Sequence, residues 1–330
     1  MRARVLTLAM VAVALSGSLA ACGKSGSSSS DSASSGGGKG CAPAAGDQLV
    51  ALDDDKKLQT VDNVIPAVNS KLAQEPLLAA LDKVSGVLDT AKLVGLNKAT
   101  DLDRKSPKVA AQAFVDSEKL TDGLAKGSGP VVVGAANFPE SNTLANVYAL
   151  TLKGAGYDAS VKVVGNRELY LPALEKGELG VVPEYLGTLT EFINKAVNGK
   201  DAATLASSDV DKTAAELTKL GDKVGLKFGK PAAAADQNAF AVTKKLADAK
   251  GIKTLSDFAS KCSGSATILG GPAECKQRPF CQPGLEKTYG ITFGKTAVFD
   301  AAGPLTKNAI KTGKATIGLV LSSDAELASQ

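Results

Sequence analysis

The chain has 330 residues, which exceeds one ordinary domain and suits two lobes together with processing segments. Its charge is nearly balanced, with 38 Lys and Arg residues against 34 Asp and Glu residues, so we do not expect a nucleic-acid binder. The sequence contains no His, which excludes Ser-His-Asp triads, His zinc sites and His general bases. A hydrophobic fraction of 44% supports a buried core and excludes global disorder.

The N-terminal segment is typical of an exported lipoprotein. Residues 1–21 carry two early Arg residues and a short apolar run over Val5–Leu15, which predict a signal peptide and not a membrane-spanning helix. The segment ends in Leu19-Ala-Ala-Cys22, which resembles a bacterial lipobox, so we expect cleavage before Cys22 and lipid attachment to it. An ordinary secretory signal with an incidental cysteine is the alternative.

Residues 22–45 are predicted to form a flexible tether. The stretch Gly23–Gly40 holds eight Ser and six Gly and no apolar side chain larger than Ala, so it cannot repay the entropy of ordering. We therefore expect a folded, extracytoplasmic body that a lipid anchors to the cell membrane.

Residues 46–126 are predicted to contain one strand and several helices. The strand is Leu49–Leu52, and the segments with apolar stripes are interpreted as helices: Pro66–Leu72, Pro76–Leu88, Ala91–Leu96 and Ser106–Phe114. One strand does not make an independent sheet. We expect these helices to cover one of the sheets that form later in the chain.

From Gly129 onward, apolar runs typical of buried strands alternate with segments of helical periodicity. The predicted strands are Val131–Ala135, Ala159–Val164, Leu179–Val182, Phe240–Thr243, Ala266–Leu269, Thr296–Phe299 and Ala315–Val320. The predicted helices are Pro139–Gly154, Glu168–Lys176, Tyr185–Val197, Thr254–Ser260, Gly284–Tyr289 and Leu305–Thr312. This alternation predicts an α/β fold with mostly parallel sheets in two lobes, whose facing strand ends form a ligand cleft.

Four cysteines remain besides Cys22, and an even number outside the cytoplasm predicts two disulfides. Cys275 and Cys281 lie in one short loop that contains Pro and form the natural local pair, which leaves Cys41 to pair with Cys262. A four-cysteine zinc site is the alternative, but the spacing contains no Cys-x-x-Cys pair.

Several motifs between residues 131 and 324 together resemble those of a known family. In chain order they are Gly134-Ala-Ala-Asn-Phe-Pro-Glu140, Gly165-Asn-Arg-Glu-Leu-Tyr-Leu-Pro-Ala-Leu-Glu-Lys-Gly177, Val182-Pro-Glu-Tyr-Leu-Gly-Thr188, Asn238-Ala-Phe-Ala-Val242, Leu269-Gly-Gly-Pro-Ala-Glu274, Arg278-Pro279, Pro283–Gly290 and Ser322-Ser-Asp324. They are similar to motifs of the substrate-binding proteins of glycine betaine/choline-type osmoprotectant ABC importers, the OpuAC-like group. The resemblance implies a two-lobe periplasmic-binding-protein fold of type II, the clamshell form.

The order of the pieces differs from that of the family. A segment that follows the Ser322-Ser-Asp324 equivalent in family members looks displaced to the N-terminal side here, at Leu49–Asp55 and Asp62–Val68. The chain therefore resembles a circular permutation, with Gly123–Pro130 as the joining loop. A compact domain whose termini lie close together tolerates such a rearrangement.

The permutation implies a division into lobes. We expect residues 46–235 to form the first lobe, made of 46–126 joined to 130–235, and residues 236–330 to form the second. One of the two strands that join the lobes would be cut. A Cys41–Cys262 bond would then tie the cut end to the second lobe; alternatively, Cys41 only anchors a loose N-terminus.

The resemblance also implies a set of ligand-binding residues. A quaternary ammonium has no N–H to donate, so proteins hold it against aromatic faces by cation–π attraction. Tyr185 matches the Tyr of the family's Pro-Glu-Tyr-x-Gly-Thr motif and is expected as one wall, with Thr188 donating to a ligand oxygen. The helix that starts there favours an anionic ligand carboxylate. The other predicted contacts are a second aromatic wall at Phe240, a carboxylate contact at Arg278, and the cleft-facing Phe138 and Asn137.

Three positions depart from the family pattern. Ala136 replaces a Lys, Leu321 replaces an aromatic residue, and Asp62 replaces a Tyr. Asp62 opposite a cationic head would substitute Coulomb attraction for the ring and favour a different amine. We therefore expect a small zwitterionic or cationic solute, with glycine betaine, choline and carnitine as candidates.

The sequence thus predicts a solute-binding lipoprotein of an ABC importer that acts as a monomer without a cofactor or metal. Its partners would be the solute, a permease with its ATPase, and the membrane. One alternative is an extracytoplasmic enzyme that uses carboxylates and Ser, but no nucleophile elbow or metal cluster supports it, and Gly270-Gly-Pro272 is too short to cradle phosphate. The other is a sensory lipoprotein that keeps the fold without transport.

Overall fold

The structure is a computed structural model that describes residues 38–328; the predicted signal peptide, Cys22 and most of the tether lie outside this range. Its strands are β1 (Leu49–Leu52), β2 (Val64–Asn69), β3 (Pro130–Ala136), β4 (Asp158–Gly165), β5 (Val181–Tyr185), β6 (Leu226–Phe228), β7 (Asn238–Thr243), β8 (Gly264–Gly271), β9 (Phe293–Val298) and β10 (Ile317–Leu321).

The helices are α1 (Glu75–Val87), α2 (Thr90–Asp101), α3 (Pro107–Ser117), α4 (Pro139–Gly154), α5 (Arg167–Lys176), α6 (Leu186–Asn198), α7 (Val210–Val224), α8 (Lys244–Lys250), α9 (Leu255–Cys262), α10 (Gln282–Gly284), α11 (Pro304–Lys311) and α12 (Ala325–Ala328). A π-helical turn, Leu285–Tyr289, continues α10. Every helix of the described range is too short or too polar to span a bilayer.

Two five-stranded sheets organise the body, one in each lobe. The first has the strand order β4-β3-β5-β2-β6 and the second has the order β1-β7-β10-β8-β9. The parallel pairs are β3 with β4 and β5, and β8 with β9 and β10, whereas β2 and β7 run antiparallel to their neighbours. The α/β class and the two sheets agree with the prediction, and the sheets are mixed because of β2 and β7.

The first sheet is covered by helices on both faces. Its central strands β2 and β5 are buried along their whole length, as apolar runs of this kind require. Leu81, Leu144 and Tyr148 pack on one face, where α1 to α4 lie. Leu174 and Leu189 belong to the core on the other face, where α5 to α7 lie. Helices α1 to α3 thus cover the first sheet, and four of its five strands follow them in the chain.

The second sheet is also packed on both faces. Alternate residues of a strand point to opposite sides, so Phe240 and Ala241 of β7 belong to different cores. Phe258 of α9 packs in the core of Phe240, and Ile310 of α11 packs in that of Ala241. The second lobe therefore has the same arrangement as the first, with a sheet between two layers of helices.

The predicted helix over Pro66–Leu72 is wrong, because most of this segment belongs to strand β2. Pro66 faces Pro183 of β5, and its carbonyl accepts a hydrogen bond from the Gly229 amide at 3.0 Å. A short apolar run does not distinguish a strand from a buried helical segment, and Pro is common at helix starts as well. All six residues of β2 are buried, on both faces of the sheet, and this burial favours a strand over a helix.

The connection between residues 199 and 235 holds two elements that the sequence analysis did not predict, α7 and β6. The Asp209 side chain accepts a hydrogen bond from the Lys212 amide and caps the start of α7. Gly225 ends the helix with a φ of 73°, a conformation in which glycine is favoured. The N-terminal cap and the glycine at the C-terminal end are the two signals in the sequence that identify this helix.

Strand β1 lies in the second lobe, which corrects the predicted start of the first lobe at residue 46. Leu49–Leu52 pairs along its full length with Phe240–Thr243 of β7. The chain then crosses to the first lobe through residues 53–63 and returns through residues 235–237. These two crossing segments pair with each other, since Asn63 and Ala235 form an antiparallel bridge. Both connections between the lobes are thus covalently intact, in contrast to the expected cut.

The structure contains both predicted disulfides, Cys41–Cys262 and Cys275–Cys281, with Cα separations of 4.6 and 5.2 Å. Pairing of the cysteines also removes the zinc alternative. Cys41 and Cys262 lie together in the core of the second lobe. Their bond therefore does not tie one lobe to the other, and it fastens the segment before β1 to the lobe that contains β1.

We expect the two disulfides to differ in their effect on stability. In the chain-entropy view, the loop that Cys41 and Cys262 close over a separation of 221 residues stabilises the fold by about 5 kcal/mol, against about 2 kcal/mol for the six-residue separation of the other pair. Urea unfolding of the two Cys→Ala double variants measures both values. Equal losses, or a larger loss for Cys275 and Cys281, would contradict the loop-length argument.

Candidate functional site

A cavity of about 410 Å³ lies between the two lobes, and we call it the interlobe cavity. The first lobe lines it with the loops that follow β3, β4 and β5. The second lobe contributes the loops after β8 and β9 and the end of β10. The cavity thus faces the carboxyl ends of parallel strands, where open α/β sheets bind ligands.

Most of the predicted ligand residues line this cavity, namely Asp62, Asn137, Phe138, Tyr185, Thr188 and Arg278. They come from the first crossing segment, the loop after β3, the junction of β5 and α6, and the disulfide-bonded loop of the second lobe. The fold therefore brings together residues that are more than 200 positions apart in the sequence. Their contact with a ligand remains a prediction.

Phe240 is the exception, which corrects the prediction of a second aromatic wall at this residue. Its side chain is 1% exposed and packs in the second-lobe core with Phe258. Residues two apart on a strand face the same side, so Phe240 points the same way as the cavity-lining Asn238. It lies one pair deeper in the sheet, between Leu52 and Leu319 of the neighbouring strands.

Five aromatic residues line the cavity, namely Phe138, Tyr170, Tyr185, Phe192 and Phe280. The rings of Phe138 and Tyr185, both from the first lobe, stack with their centroids 6.3 Å apart and their planes at 29°. The Tyr185 hydroxyl donates to Glu140 Oε1 at 2.6 Å, which fixes the ring. Phe280 adds a ring from the second lobe. The sequence analysis missed Phe280, although it lies only two residues beyond Arg278 in the same loop.

Asp62 is engaged by the protein itself. Its Oδ1 accepts hydrogen bonds from the amides of Gly187 and Thr188 at 2.9 and 3.0 Å, and from the Thr188 hydroxyl. The start of α6, expected to favour a ligand carboxylate, is thus already matched to a negative side chain. Burial raises the pKa of Asp62 to about 7, against the opposing effects of the Thr188 amide and the Arg167 charge.

A buried ion pair supports the first-lobe side of the cavity. Arg167 donates through Nε and Nη2 to the two carboxylate oxygens of Glu184, at 2.9 and 2.7 Å. Tyr170 donates to Glu184 Oε1 at 2.8 Å, and Arg167 Nη2 also donates to Thr188 Oγ1. The guanidinium lies 5.9 Å from the Phe192 ring centroid. Sequence reasoning missed this pair, although both members lie within quoted motifs.

Arg278 bridges the two lobes at the cavity. Its Nη2 lies 2.9 Å from Glu168 Oε2 of the first lobe and 3.7 Å from Glu274 Oε1 of its own lobe. Burial alone would raise the pKa of Glu168, but the hydrogen bond and charge of Arg278 lower it, so Glu168 is ionised. The guanidinium is therefore already paired with carboxylates in the position where the sequence predicts a ligand carboxylate.

Asn166 is a further cavity-lining residue that was not singled out from the sequence. Its Oδ1 is buried and has no hydrogen-bond partner among the described residues. Buried polar atoms are nearly always paired, so an unpaired acceptor at a cavity wall is available to a donor inside the cavity.

The sequence matches one family model, the substrate binding domain of ABC-type glycine betaine transport systems (OpuAC), over residues 43–117 and 129–330. The match thus covers well over half of the chain. It falls in two segments, and the gap between them overlaps the loop predicted to join the two pieces of the first lobe.

Individual known proteins show weaker similarity. A glycine-betaine-binding protein of Pseudomonas aeruginosa is 26% identical over 202 residues, which are 59% of this chain and 62% of that protein, less than two thirds of its length. A crystal structure described as a glycine betaine/carnitine/choline ABC transporter is 20% identical, with a TM-score of 0.38, over 60% of this chain and 71% of that one. On the extent of the family match, the chain belongs to the OpuAC family and has its two-lobe periplasmic-binding-protein fold.

Proposed function

We propose that this protein is the extracytoplasmic receptor of an ABC importer and captures a small quaternary-amine solute in the interlobe cavity. The observation that carries the proposal is the aromatic lining, with the stacked Phe138 and Tyr185 of the first lobe and Phe280 of the second. Aromatic faces attract cations that have no N–H to donate. Family membership supports the same class of ligand.

A cationic group on the solute is compatible with the charges around the cavity, where the acids Asp62, Glu168, Glu191, Asp236 and Glu274 lie together with the basic residues Arg167, Lys195, Lys200 and Arg278. The two arginines of the lining are each paired with a glutamate, Arg167 with Glu184 and Arg278 with Glu168. The unpaired buried atom is an acceptor, Asn166 Oδ1. A positively charged group can thus enter without displacing an internal pair, and the rings provide the surface that holds it.

The same geometry favours a second candidate, a cationic solute that lacks a carboxylate, such as choline. The carboxylate of glycine betaine would have to compete with Glu168 for Arg278, and the start of α6 is already occupied by Asp62. Ala136 stands where the family has a Lys. Choline needs no such partner, and its hydroxyl suits a free acceptor.

We infer that the solute is bound and released unchanged. The lobes are connected by two neighbouring segments, residues 53–63 and 235–237, about which they can close over a ligand. A permease would then recognise the closed form, so that binding acts as a population shift. A sensory lipoprotein on the same fold would bind the solute without transporting it.

We further propose that Cys22 carries a lipid and that the chain is a circular permutation of the family order, with Gly123–Pro130 as the joining loop. The two-segment family match supports the permutation. The start and end of the described body also lie close together, since α12, its last helix, contacts β1, its first strand. Neighbouring ends of this kind are what a permutation requires.

We expect calorimetric titration with glycine betaine, choline, carnitine, proline and ectoine to give saturable binding of a quaternary amine and no turnover of any of them. Proline, a secondary amine with N–H groups, serves as the control, because an aromatic site that selects quaternary ammonium gains nothing from it. Turnover of a solute, or an absence of heat with all five, would contradict the proposal.

Replacing the rings should weaken binding without unfolding the protein. Tyr185→Leu and Phe138→Leu keep apolar volume but remove a cation–π contact of about 0.5–2 kcal/mol, so the Kd of the preferred amine should rise by about 2- to 30-fold. Tyr157→Leu is the control, since Tyr157 packs on the first-lobe core away from the cavity lining. Equal losses in all three variants would show a general effect on folding.

Breaking the ion pair between Arg278 and Glu168 should shift the preference of the protein from choline toward glycine betaine. Glu168→Gln removes the negative charge across the cleft, so the affinity for glycine betaine should rise relative to that for choline, by up to about fivefold for a partly exposed ion pair worth about 1 kcal/mol. Glu286→Gln, on the surface of the second lobe, is the control. An unchanged ratio of the two Kd values would mean that Arg278 does not select against carboxylates.

A further inference from the structure

A buried polar cluster lies directly behind the aromatic wall, and its centre is Glu140 at the start of α4. Glu140 is 3% exposed. Its Oε1 accepts from the Tyr185 hydroxyl at 2.6 Å, and its Oε2 accepts from the Ser323 hydroxyl at 2.7 Å and from Asn97 Nδ2 at 2.5 Å. One side chain thus receives three donors from three separate segments of the chain.

These donors connect the cavity to the junction of the lobes. Tyr185 lines the interlobe cavity, Asn97 lies in α2 of the first lobe, and Ser323 follows β10 of the second lobe. Glu140 does not line the cavity, so it acts on a ligand only through Tyr185. Glu140 is therefore a positioning residue, because it orients the Tyr185 ring that lines the cavity.

A second buried acid, Asp236, completes the cluster from the crossing segment that leads to β7. It is 3% exposed and accepts from the Ser323 amide at 3.1 Å, so Ser323, whose hydroxyl donates to Glu140, connects the two acids. Two buried carboxyl groups this closely connected repel each other when both are ionised, which favours a state in which one of them keeps a proton.

We propose that Glu140 and Asp236 hold one proton between them, and that this shared proton keeps the crossing segment, Ser323 and Tyr185 in the arrangement that captures the solute. The part of the proposal that concerns the solute rests on the proposed function. The proton sharing does not, because it rests on the burial of the two acids and on their common partner Ser323.

Burial, followed by the charge of Glu140, raises the pKa of Asp236 well above its usual value. Burial and then Glu140 also raise the pKa of Tyr185, so its hydroxyl remains a donor. The other titratable or charged groups around the pair are Asp62 on the first crossing segment, Asp101 of α2, Tyr170 of α5, Lys307 of α11 and Asp324 after β10.

The nearest cation among these groups does not replace the proton. Lys307 Nζ lies 2.7 Å from Asp324 and 3.9 Å from Asp101, so its charge is already matched by two acids. The remaining neighbours are acidic or neutral. They add to the negative potential at Glu140 and Asp236 and therefore favour retention of the proton.

The direction of the pH effect follows from the raised pKa of Asp236. In the unfolded chain Asp236 loses its proton near pH 4, whereas in the folded chain it keeps the proton to higher pH. Folding stability from this proton is complete below the unfolded pKa and is lost as the pH rises through the raised pKa of Asp236 in the folded chain. Once the pair is fully ionised, the two carboxylates repel each other across the contact between α4 and the crossing segment.

The first experiment needs no solute. Thermal unfolding is followed from about pH 5 to about pH 9 for the native chain and for Asp236→Asn, whose side chain is neutral like the protonated acid at every pH of the range. We expect the melting temperature of the native chain to fall with rising pH and the variant to lose part of that slope. Glu140→Gln, the neutral form of the other acid, should flatten the slope in the same way if Asp236→Asn does not fold.

Asp324→Asn is the matched control, because Asp324 is a buried acid of the same region whose partner is Lys307 and not another acid. It should lower stability but keep the native slope. Parallel slopes for the native chain, Asp236→Asn and Glu140→Gln would overturn the proposal, whatever the protein binds.

The second experiment measures the Kd values of choline and glycine betaine over the same pH range. If capture requires the shared proton, the native affinity falls by about tenfold per pH unit above the pKa of the pair, and the affinity of Asp236→Asn stays level. A native affinity that does not change with pH overturns the link to capture. If neither solute binds, the proposed function fails, and the unfolding slopes still decide whether the proton is shared.

Discussion

An isolated carboxylate costs several kcal/mol when it is taken out of water, and the acids Asp62, Glu140, Glu184 and Asp236 are buried near the Tyr185 ring. Glu184 is matched by the bidentate Arg167, Asp62 by the first amides of α6, and Glu140 by donors from α2, β5 and the end of β10. Each match fixes the junction of β5 and α6 from a different direction. The aromatic wall is therefore held in one orientation by the need to pair charges, and packing against Phe138 adds to this.

The contacts between the lobes fall into a strong and a weak group. The strong group lies beside the crossing segments, where Ser323 of the second lobe donates to two buried acids, through its amide to Asp236 and through its hydroxyl to Glu140. The weak group is the partly exposed pair of Arg278 and Glu168, which solvent screens to about 0–1 kcal/mol. We therefore expect the lobes to separate first at the ion pair and to pivot at the crossing segments. The proposed solute, in contact with rings from both lobes, would then shift the balance with a modest binding energy.

The sequence was sufficient for the features that depend on local pattern. Apolar runs bounded by Gly and Pro predicted nearly all strands from β3 onward, and motif similarity predicted the lining residues at the β5–α6 junction. It failed where tertiary contacts decide. The run over Pro66–Leu72 has no period that separates a strand from a helix, and only burial between β5 and β6 makes it β2. The depth of Phe240 depends on strand register, and the pairing of Asp62 with α6 joins residues 125 positions apart.

The Cys41–Cys262 bond fastens the segment before β1, an edge strand of the second lobe, to the rest of that lobe. This strand has four residues and pairs only with β7, at the edge of the sheet, where short strands separate most easily. The segment before it is held by Cys41, whose amide donates to Thr267 Oγ1 and whose carbonyl accepts from Thr316 Oγ1, both at 3.0 Å. The disulfide makes this attachment covalent. If Cys22 carries a lipid as proposed, a pull on the chain before Cys41 would act on the second lobe, and the first lobe could still move about the crossing segments.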